Sequence, residues 1–199
     1  MIGIDEISFE KEKDCGNFMS TENFYSPEEI NKKELMEYYG FTGKFGYIKL
    51  AKKFFKNMVL QSLAERAYIP ELSVKFHRWK GVKIGNHVYI GPKTFIDVLY
   101  PHLITIEDYV SIGYSMVFAH SNPTNSIYIK EQYYPRKVAP VTIKKGAWIT
   151  AGCIILPGVT IGSNSIVSSG SVVTKDVEKE SLYAGVPAKK IRDLNIKED

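Results

Sequence analysis

The chain has 199 residues, 44% of them hydrophobic and 24% charged, so it can bury a core and is not expected to be disordered or collagen-like. Its length predicts one domain with at most a modest appendage. The 26 basic and 22 acidic residues leave a net charge of +4, which suits an anionic ligand but is too weak and dispersed to predict nucleic-acid binding.

Nothing in the sequence predicts an oxidising compartment or a membrane anchor. The two cysteines, Cys15 and Cys153, do not make a disulfide framework. The first 14 residues carry five acidic side chains and no apolar run, unlike a secretory signal. No stretch reaches the roughly 18 apolar residues of a spanning helix. We therefore expect a cytoplasmic protein, for which membrane contact is possible but not expected.

Residues 1–80 are predicted to form an N-terminal helical segment. Ser26 can cap a helix that begins at Pro27, and the carboxylates of Glu28 and Glu29 favour the positive end of its dipole. Gly40 fits the end of that helix.

A second helix is predicted from Phe45 to Ala67. Its apolar residues share one face while its lysines lie elsewhere: Ile48, Phe55, Val59 and Leu63 against Lys49, Lys52, Lys53 and Lys56. We expect the apolar face to pack against the rest of the domain. The less favoured alternative is a helix that lies on a membrane surface.

From about residue 82 the sequence repeats every six residues. The apolar anchors of this repeat are Ile84, Ile90, Ile96, Ile106, Ile112, Phe118, Ile143, Ile149, Ile155, Ile161, Val167 and Val173. Four positions after an anchor, apart from Tyr100 and Asn122, comes a small or medium residue expected to point inward: Val88, Thr94, Val110, Met116, Ala147, Cys153, Val159, Ser165, Ser171 and Val177.

A six-residue step fits neither an α-helix nor an ordinary strand, but it fits a short strand followed by a corner, three times per coil. Glycines directly after an anchor leave room where the backbone turns or crowds, at Gly85, Gly91, Gly113 and Gly162. The twelve anchors predict a mainly β chain whose residues 81–180 form a parallel β-helix of about four coils.

The period is interrupted twice. Four extra residues surround Tyr100-Pro101-His102, and 19 extra residues separate Phe118 from Ile143. An insertion of the second length must project from the scaffold, and projecting loops are where function concentrates. Loop 119–140 is therefore predicted to carry part of the functional site.

The repeat stops after Val177. Residues 181–199 are predicted to form a C-terminal cap. Within it, Pro187 is expected to open a short basic helix, Ala188 to Leu194, that covers the exposed edge of the β-helix.

Motifs in the second half of the repeat are specific. They are Ala147-Trp148-Ile149, Ile155-Leu156-Pro157-Gly158-Val159-Thr160-Ile161-Gly162, Gly170-Ser171-Val172-Val173-Thr174-Lys175-Asp176 and Ala184-Gly185-Val186-Pro187-Ala188. With them the chain resembles the hexapeptide-repeat acetyltransferases over about residues 80–192. Within that family it is most similar to the sugar O-acetyltransferases, which include the maltose and galactoside enzymes and enzymes that decorate bacterial surface polysaccharides. Residues 1–80 add no motif to this resemblance.

The resemblance implies a left-handed β-helix, acetyl-CoA as acyl donor and no metal. It also implies a homotrimer with active sites shared between neighbouring subunits. The repeat alone does not give the hand, since the general preference for right-handed crossovers points the other way.

By the same resemblance His120 is the general base. It lies where the coil gives way to loop 119–140, and its imidazole would remove the proton of an acceptor hydroxyl that attacks the thioester directly, without an acyl-enzyme. A lone structural histidine is the alternative. The family often continues with a proline and an acidic residue, whereas here Ser121-Asn122-Pro123-Thr124 follows, which affects the expected acceptor more than the role of His120.

Asp97 follows the anchor Ile96, which coil arithmetic places on the same face as Phe118. Asp97 and His120 are therefore expected to lie about one strand spacing apart. Because the matching residue of the galactoside-type enzymes is an asparagine that touches the acceptor, Asp97 could orient the sugar. It could instead orient His120 and increase its basicity. A solvated corner carboxylate is the equally favoured alternative.

The resemblance also assigns residues to the donor, whose long arm can lie along a groove of the β-helix. The matching cofactor positions are Ala151, Ser169, Thr174, Lys175, Lys189 and Arg192. Lys189 and Arg192 match basic residues that hold the phosphate end, and without the resemblance they would be interpreted as a solvated helix end. Trp148 matches an aromatic residue of the donor and acceptor channel, with plain packing as the alternative.

The favoured function is acetyl transfer from acetyl-CoA to a hydroxyl of a sugar or surface-glycan precursor. The main alternative is transfer to the amino group of a nucleotide-linked amino sugar. A zinc carbonic anhydrase of the same architecture is disfavoured because His87, His102 and His120 include no close pair. A non-catalytic trimeric scaffold is also disfavoured. Cys153 is interpreted as a small core residue rather than a nucleophile.

Overall fold

The computed structural model describes residues 26–121 and 126–194. The expectations for Cys15 and for Asn122-Pro123-Thr124 lie outside this range. Three helices precede the strands, and a fourth, short one lies in loop 119–140: α1 Pro27–Tyr38, α2 Gly43–Arg66, α3 Pro70–Lys80 and α4 Ile127–Gln132. None of these helices is long and apolar enough to cross a membrane.

The strands are short and wind into coils. They are β1 Lys83–Ile84, β2 Tyr89–Ile90, β3 Phe95–Ile96, β4 Ile104–Ile106, β5 Ser111–Ile112, β6 Met116–Val117, β7 Val141–Ile143, β8 Trp148–Ile149, β9 Ile154–Ile155, β10 Thr160–Ile161, β11 Ile166–Val167, β12 Val172–Val173, β13 Ser181–Gly185 and β14 Ala188–Asp193. From β1 to β12, every third strand joins the same sheet, and β13 and β14 extend the second of the three. Sheet 1 has the order β1-β4-β7-β10, sheet 2 the order β14-β13-β11-β8-β5-β2 and sheet 3 the order β12-β9-β6-β3. Apart from the β13–β14 pair, the neighbours are parallel.

The three sheets form a parallel β-helix of four coils, as predicted. From Ile90 to Val173 every predicted anchor except Phe118 is buried, because the anchor side chains fill the interior of the prism. Gly162 shows why glycine follows an anchor at a crowded corner. A Cβ atom there would meet the backbone nitrogen of Lys179 at 2.4 Å.

The prediction is wrong by one residue in β6. Val117, not Phe118, pairs with Ile96 and with Ile155. Ser115 points inward with 2% exposure, whereas Met116 is 40% exposed. The corner between Ile112 and Val117 is one residue shorter than the others. Because Met116, Val117 and Phe118 are all apolar, the six-residue period could not show which of them is the anchor.

The first two predicted helices are confirmed. Helix α1 begins with a capping box in which Ser26 accepts from the Glu29 N–H and Glu29 accepts from the Ser26 N–H. Gly40 follows its end with φ +64°. Helix α3 was not predicted, although Pro70 at its first turn and Gly81 in the left-handed region after it are ordinary boundary signals.

The expected packing of α2 is wrong. Its apolar face points away from the β-helix, since Phe55 is 71% exposed and Ile48, Val59 and Leu63 are between 42% and 47% exposed. The opposite face is buried and carries Asn57 and Gln61. In this orientation Asn57 and Gln61 donate to backbone carbonyls at the edge of sheet 3.

The expected C-terminal helix is also wrong. Residues Ala188–Asp193 form strand β14, which pairs antiparallel with β13. Strand β13 itself extends sheet 2 by pairing with β11. Val186 and Pro187 occupy the turn between the two strands, so the proline directly precedes a strand instead of opening a helix. A strand satisfies the free backbone edge of β13, which a helix could not do.

Candidate active site

His120 lies at the point where β6 leaves the coil and the projecting loop begins. Its backbone is held by an antiparallel bridge to Val138. On either side of this bridge, the Ala139 N–H donates to the Ala119 carbonyl at 3.0 Å and the Ser121 N–H to the Lys137 carbonyl at 2.9 Å. The two ends of loop 119–140 are therefore tied together directly at the histidine.

Asp97 lies beside His120, as predicted. Its carboxylate is fully buried, and Oδ2 is 2.5 Å from Nδ1 of His120. The same oxygen accepts from the Ala119 N–H at 2.9 Å, while Oδ1 accepts from the N–H groups of Leu99 and Tyr100 at 2.8 and 3.0 Å. A carboxylate with three backbone donors has a fixed direction, so it can orient the imidazole.

The electrostatics of the pair favour an ionised Asp97. Burial alone would raise the pKa of its carboxyl group, but the hydrogen bond and the charge of His120, together with the N–H groups of Tyr100 and Ala119, lower the pKa below its ordinary value. With Nδ1–H directed at this carboxylate, Nε2 of a neutral His120 is left to accept a proton. The histidine side chain keeps 11% exposure.

A tyrosine and an ion-pair network that sequence reasoning missed surround the pair. The Tyr100 ring lies 5.3 Å from the His120 ring, and Arg136 donates to its hydroxyl at 3.2 Å. Glu34 of α1 pairs with Lys130 at 2.6 Å and with Arg136 at 3.2 Å, so the loop is anchored to the first helix. Only the insertion around Tyr100 signalled this region in the sequence.

Four of the six donor residues expected from the resemblance fall on two corners of the prism, and the other two lie on β14. Because β8 and β11 are paired with Trp148 opposite Ile166, Ala151 and Ser169 occupy the same corner one coil apart, between sheets 2 and 3. The Gly170 N–H donates to the Ala151 carbonyl at 3.0 Å across this corner. Both residues are exposed, so this corner offers an open backbone groove.

Thr174 and Lys175 lie on the other corner, which also carries Asp97 and His120 at the ends of the sheet 3 strands. The register of β6, β9 and β12 places Lys175 two coils beyond His120, or about 10 Å along the axis. Both Thr174 and Lys175 are exposed.

Lys189 and Arg192 project from the same face of β14. A register shift in the β13–β14 pair sets Lys189 opposite Ala184 and Arg192 opposite Leu182. Ala184 and Leu182 are two residues apart in β13, so they lie on the same face of the sheet. Lys189 and Arg192, which are directly opposite them, therefore share that face. Lys190 is engaged separately with Glu178 and Asp193, each at 2.7 Å.

The remaining candidates are apart from the pair. Trp148 is 52% exposed on sheet 2, on a different face of the prism from His120. Cys153 is fully buried, as expected of a core residue. Across residues 26–121 and 126–194, no three His, Cys, Asp or Glu side chains are grouped so that they could hold a metal ion.

Comparison with known proteins agrees with this architecture. Residues 140–175 match the family model described as bacterial transferase hexapeptide (six repeats). Galactoside O-acetyltransferase of Escherichia coli is 36% identical over 118 residues, which are 56% of this chain and 56% of that protein. This chain thus spans about half the length of the curated relatives that it matches.

Two solved structures share the fold. One is a hexapeptide-repeat containing acetyltransferase from Vibrio cholerae complexed with acetyl-coenzyme A, with a TM-score of 0.60, 24% identity and coverage of 73% of this chain and 89% of that one. The other is a galactoside acetyltransferase in complex with coenzyme A, with a TM-score of 0.57, 23% identity and coverage of 73% and 82%. The fold class is that of a left-handed parallel β-helix with N-terminal helices. The resemblance to the hexapeptide-repeat acetyltransferases, found in the sequence, is confirmed.

Proposed function

We propose that the protein is an acetyltransferase that moves the acetyl group of acetyl-CoA to a hydroxyl of a sugar, within a surface glycan or its precursor. The observation that carries the proposal is the contact between His120 Nδ1 and the buried Asp97 carboxylate at 2.5 Å. This geometry leaves Nε2 as a base at the entrance of the projecting loop. The relative named galactoside O-acetyltransferase supports the sugar hydroxyl as acceptor.

In the proposed reaction, Nε2 of His120 takes the proton of the acceptor hydroxyl as its oxygen attacks the thioester carbonyl. Asp97 stabilises the imidazolium that forms, because its carboxylate already faces Nδ1–H. When the tetrahedral intermediate collapses, the C–S bond breaks and the proton passes from Nε2 to the departing thiolate. The products are the acetyl ester and free coenzyme A, and no acyl-enzyme is needed.

The open corner at Ala151 and Ser169 would hold the extended arm of the donor through backbone groups. Lys189 and Arg192 would pair with its phosphates, as Arg and Lys commonly do. Thr174 and Lys175 would contact the donor near the His120 corner, and Trp148 would line the channel. These proposed donor residues are distributed over different faces of the prism.

This distribution supports an active site shared between the subunits of a homotrimer. Ser169 and Lys175 lie on opposite sides of sheet 3, six residues apart, which is up to about 20 Å of extended chain. A donor that lies along the Ser169 corner of one subunit is therefore best served by His120 of a neighbour. The donor is an intracellular metabolite, which agrees with the cytoplasmic location expected from the sequence.

The test is thiol release from acetyl-CoA in the presence of a panel of sugars, surface-glycan fragments and nucleotide-linked amino sugars. Wild-type protein should release thiol with a hydroxyl acceptor, and His120→Ala should lose that activity. Release only with amino acceptors would establish N-acetylation instead. A protein that no acceptor stimulates above background would be a non-catalytic scaffold, and the proposal would fail.

A further inference from the structure

Strand β3 is the free edge of sheet 3, and three carbonyl groups in and beside it point away from the sheet. The N–H groups of Phe95 and Asp97 donate to the carbonyls of Ser115 and Val117, so the carbonyls of Thr94, Ile96 and Val98 face the opposite side. An edge of this kind must find other donors if it is buried. Helices α2 and α3 cover it.

Three buried polar side chains from these helices satisfy the three carbonyls. Gln61 Nε2 donates to Thr94 at 3.0 Å, Lys80 Nζ to Ile96 at 2.6 Å and Asn57 Nδ2 to Val98 at 2.8 Å. Lys80 Nζ also donates to Gln61 Oε1. Asn57, Gln61 and Lys80 are 2%, 4% and 4% exposed. This contact explains why α2 turns its polar face inward and its apolar face outward.

Two of these bonds are placed on either side of Asp97. Lys80 holds the carbonyl of Ile96, in the peptide group directly before Asp97. Asn57 holds the carbonyl of Val98, in the peptide group whose Leu99 N–H donates to Asp97 Oδ1. Fixing these two peptide groups helps to fix the direction of the Asp97 side chain. We infer that Lys80 and Asn57 are positioning residues that aim the Asp97 carboxylate at His120 and so make α2 and α3 part of the active site.

Lys80 is a costly choice for a merely structural contact. Burying an ammonium group is unfavourable unless its surroundings compensate. The pKa of Lys80 is lowered to about 7. Burial is the cause of this shift, and the charges of Asp97 and Glu65 act in the opposite direction. Where Lys80 is protonated, its charge and that of the Asp97 carboxylate stabilise each other.

Arg78 provides a matched control. It lies on the same helix and also donates from a basic side chain to edge carbonyls, those of Ile84 at 3.2 Å and of Gly85. These carbonyls belong to β1 and the corner that follows it, on sheet 1, away from Asp97. Removing Arg78 therefore removes a helix-to-edge contact, here an exposed one, without touching either neighbour of Asp97.

The inference rests on the proposed function, in which His120 is the base, and its test has a readout besides activity. Lys80→Met and Asn57→Leu should each lower kcat by about 10- to 100-fold, with the KM for acetyl-CoA within about twofold of wild type. The low-field proton resonance of the His120 Nδ1–H bonded to Asp97 should shift or vanish in both variants. Arg78→Met should keep both the kcat and the resonance.

Asn57→Leu introduces no buried charge change and keeps the test valid if Lys80→Met does not fold. Folded variants that retain the wild-type kcat and resonance would overturn the inference, as would equal losses in Arg78→Met. If wild-type protein transfers no acetyl group but the resonance responds as expected, the proposed function fails and the positioning role stands.

Discussion

The Nδ1 atom of His120 lies 2.5 Å from Oδ2 of Asp97, although 23 residues separate them in the chain. The contact arises because β3 and β6 are adjacent in sheet 3 and both end at the same corner. Asp97 is fixed by the N–H groups of Leu99 and Tyr100 and His120 by the antiparallel base of its loop, and the Ala119 N–H of that base also donates to Asp97. The pair is therefore formed before any substrate binds.

Asp97→Asn should lower kcat by about 100-fold or more, because an amide can neither hold Nδ1–H as well nor stabilise the imidazolium. The KM for acetyl-CoA should change little. Steady-state thiol release measures both constants. Asp108→Asn is the matched control, since Asp108 also accepts from a backbone N–H, that of Asn86 at 2.6 Å, at a corner that does not carry His120. Equal losses in the two variants would contradict the role of Asp97.

The ionised Asp97 should also make stability depend on pH. Its pKa is lower in the folded protein than its ordinary value, so its contribution to the free energy of unfolding is present above the unfolded-state pKa, about 3.9. That contribution is lost as pH falls through the lower folded-state pKa. The stability advantage of wild type over Asp97→Asn should therefore shrink below about pH 4. Urea denaturation along a pH series tests this, and an advantage that grew on acidification would contradict it.

The sequence could predict the features of the fold and the site that follow from the six-residue repeat, but not those that depend on contacts with other parts of the chain. The six-residue period follows from filling a narrow prism, so the anchors and the proximity of Asp97 to His120 were predictable. Met116-Val117-Phe118 offered three apolar candidates for one inward position, and no local signal chose Val117. The orientation of α2 was hidden because it depends on carbonyls of β3, more than 30 residues away. The basic stretch after Pro187 became a strand because β13 left a free edge beside it.

The ion pairs of Glu34 should control the acceptor side of the site. Glu34→Gln removes the carboxylate that holds Lys130 and Arg136, whose side chains are only 10% and 9% exposed. Loop 119–140 should then detach more readily from α1. We expect the KM for the acceptor to rise by about three- to tenfold and the KM for acetyl-CoA to stay unchanged. Kinetics with each substrate varied in turn measure the effect. Glu37→Gln, an exposed carboxylate of the same helix, should behave as wild type.

Gly162 should tolerate no side chain. A Cβ atom would lie 2.4 Å from the Lys179 nitrogen and 2.5 Å from the Glu178 carbonyl carbon, both backbone atoms that cannot move without opening the coil. Gly162→Ala should lower the free energy of unfolding by about 1–3 kcal/mol, measured by urea denaturation. Gly91→Ala is the control, because there the nearest atom is 3.4 Å from the added carbon. A Gly162→Ala protein as stable as Gly91→Ala would contradict the steric account.

Two of the three cations on β14, Lys189 and Arg192, should bind the phosphate end of the donor. Lys189 and Arg192 share one face of β14, whereas Lys190 is paired with Glu178 and Asp193. Lys189→Ala and Arg192→Ala should each raise the KM for acetyl-CoA by about tenfold, the usual scale of a lost charge-assisted hydrogen bond, with kcat almost unchanged. Lys190→Ala should leave both constants near their wild-type values. A similar rise in the KM for acetyl-CoA in all three variants would contradict this assignment. It would show that β14 contributes only general positive charge and that the position of each cation on the strand does not matter.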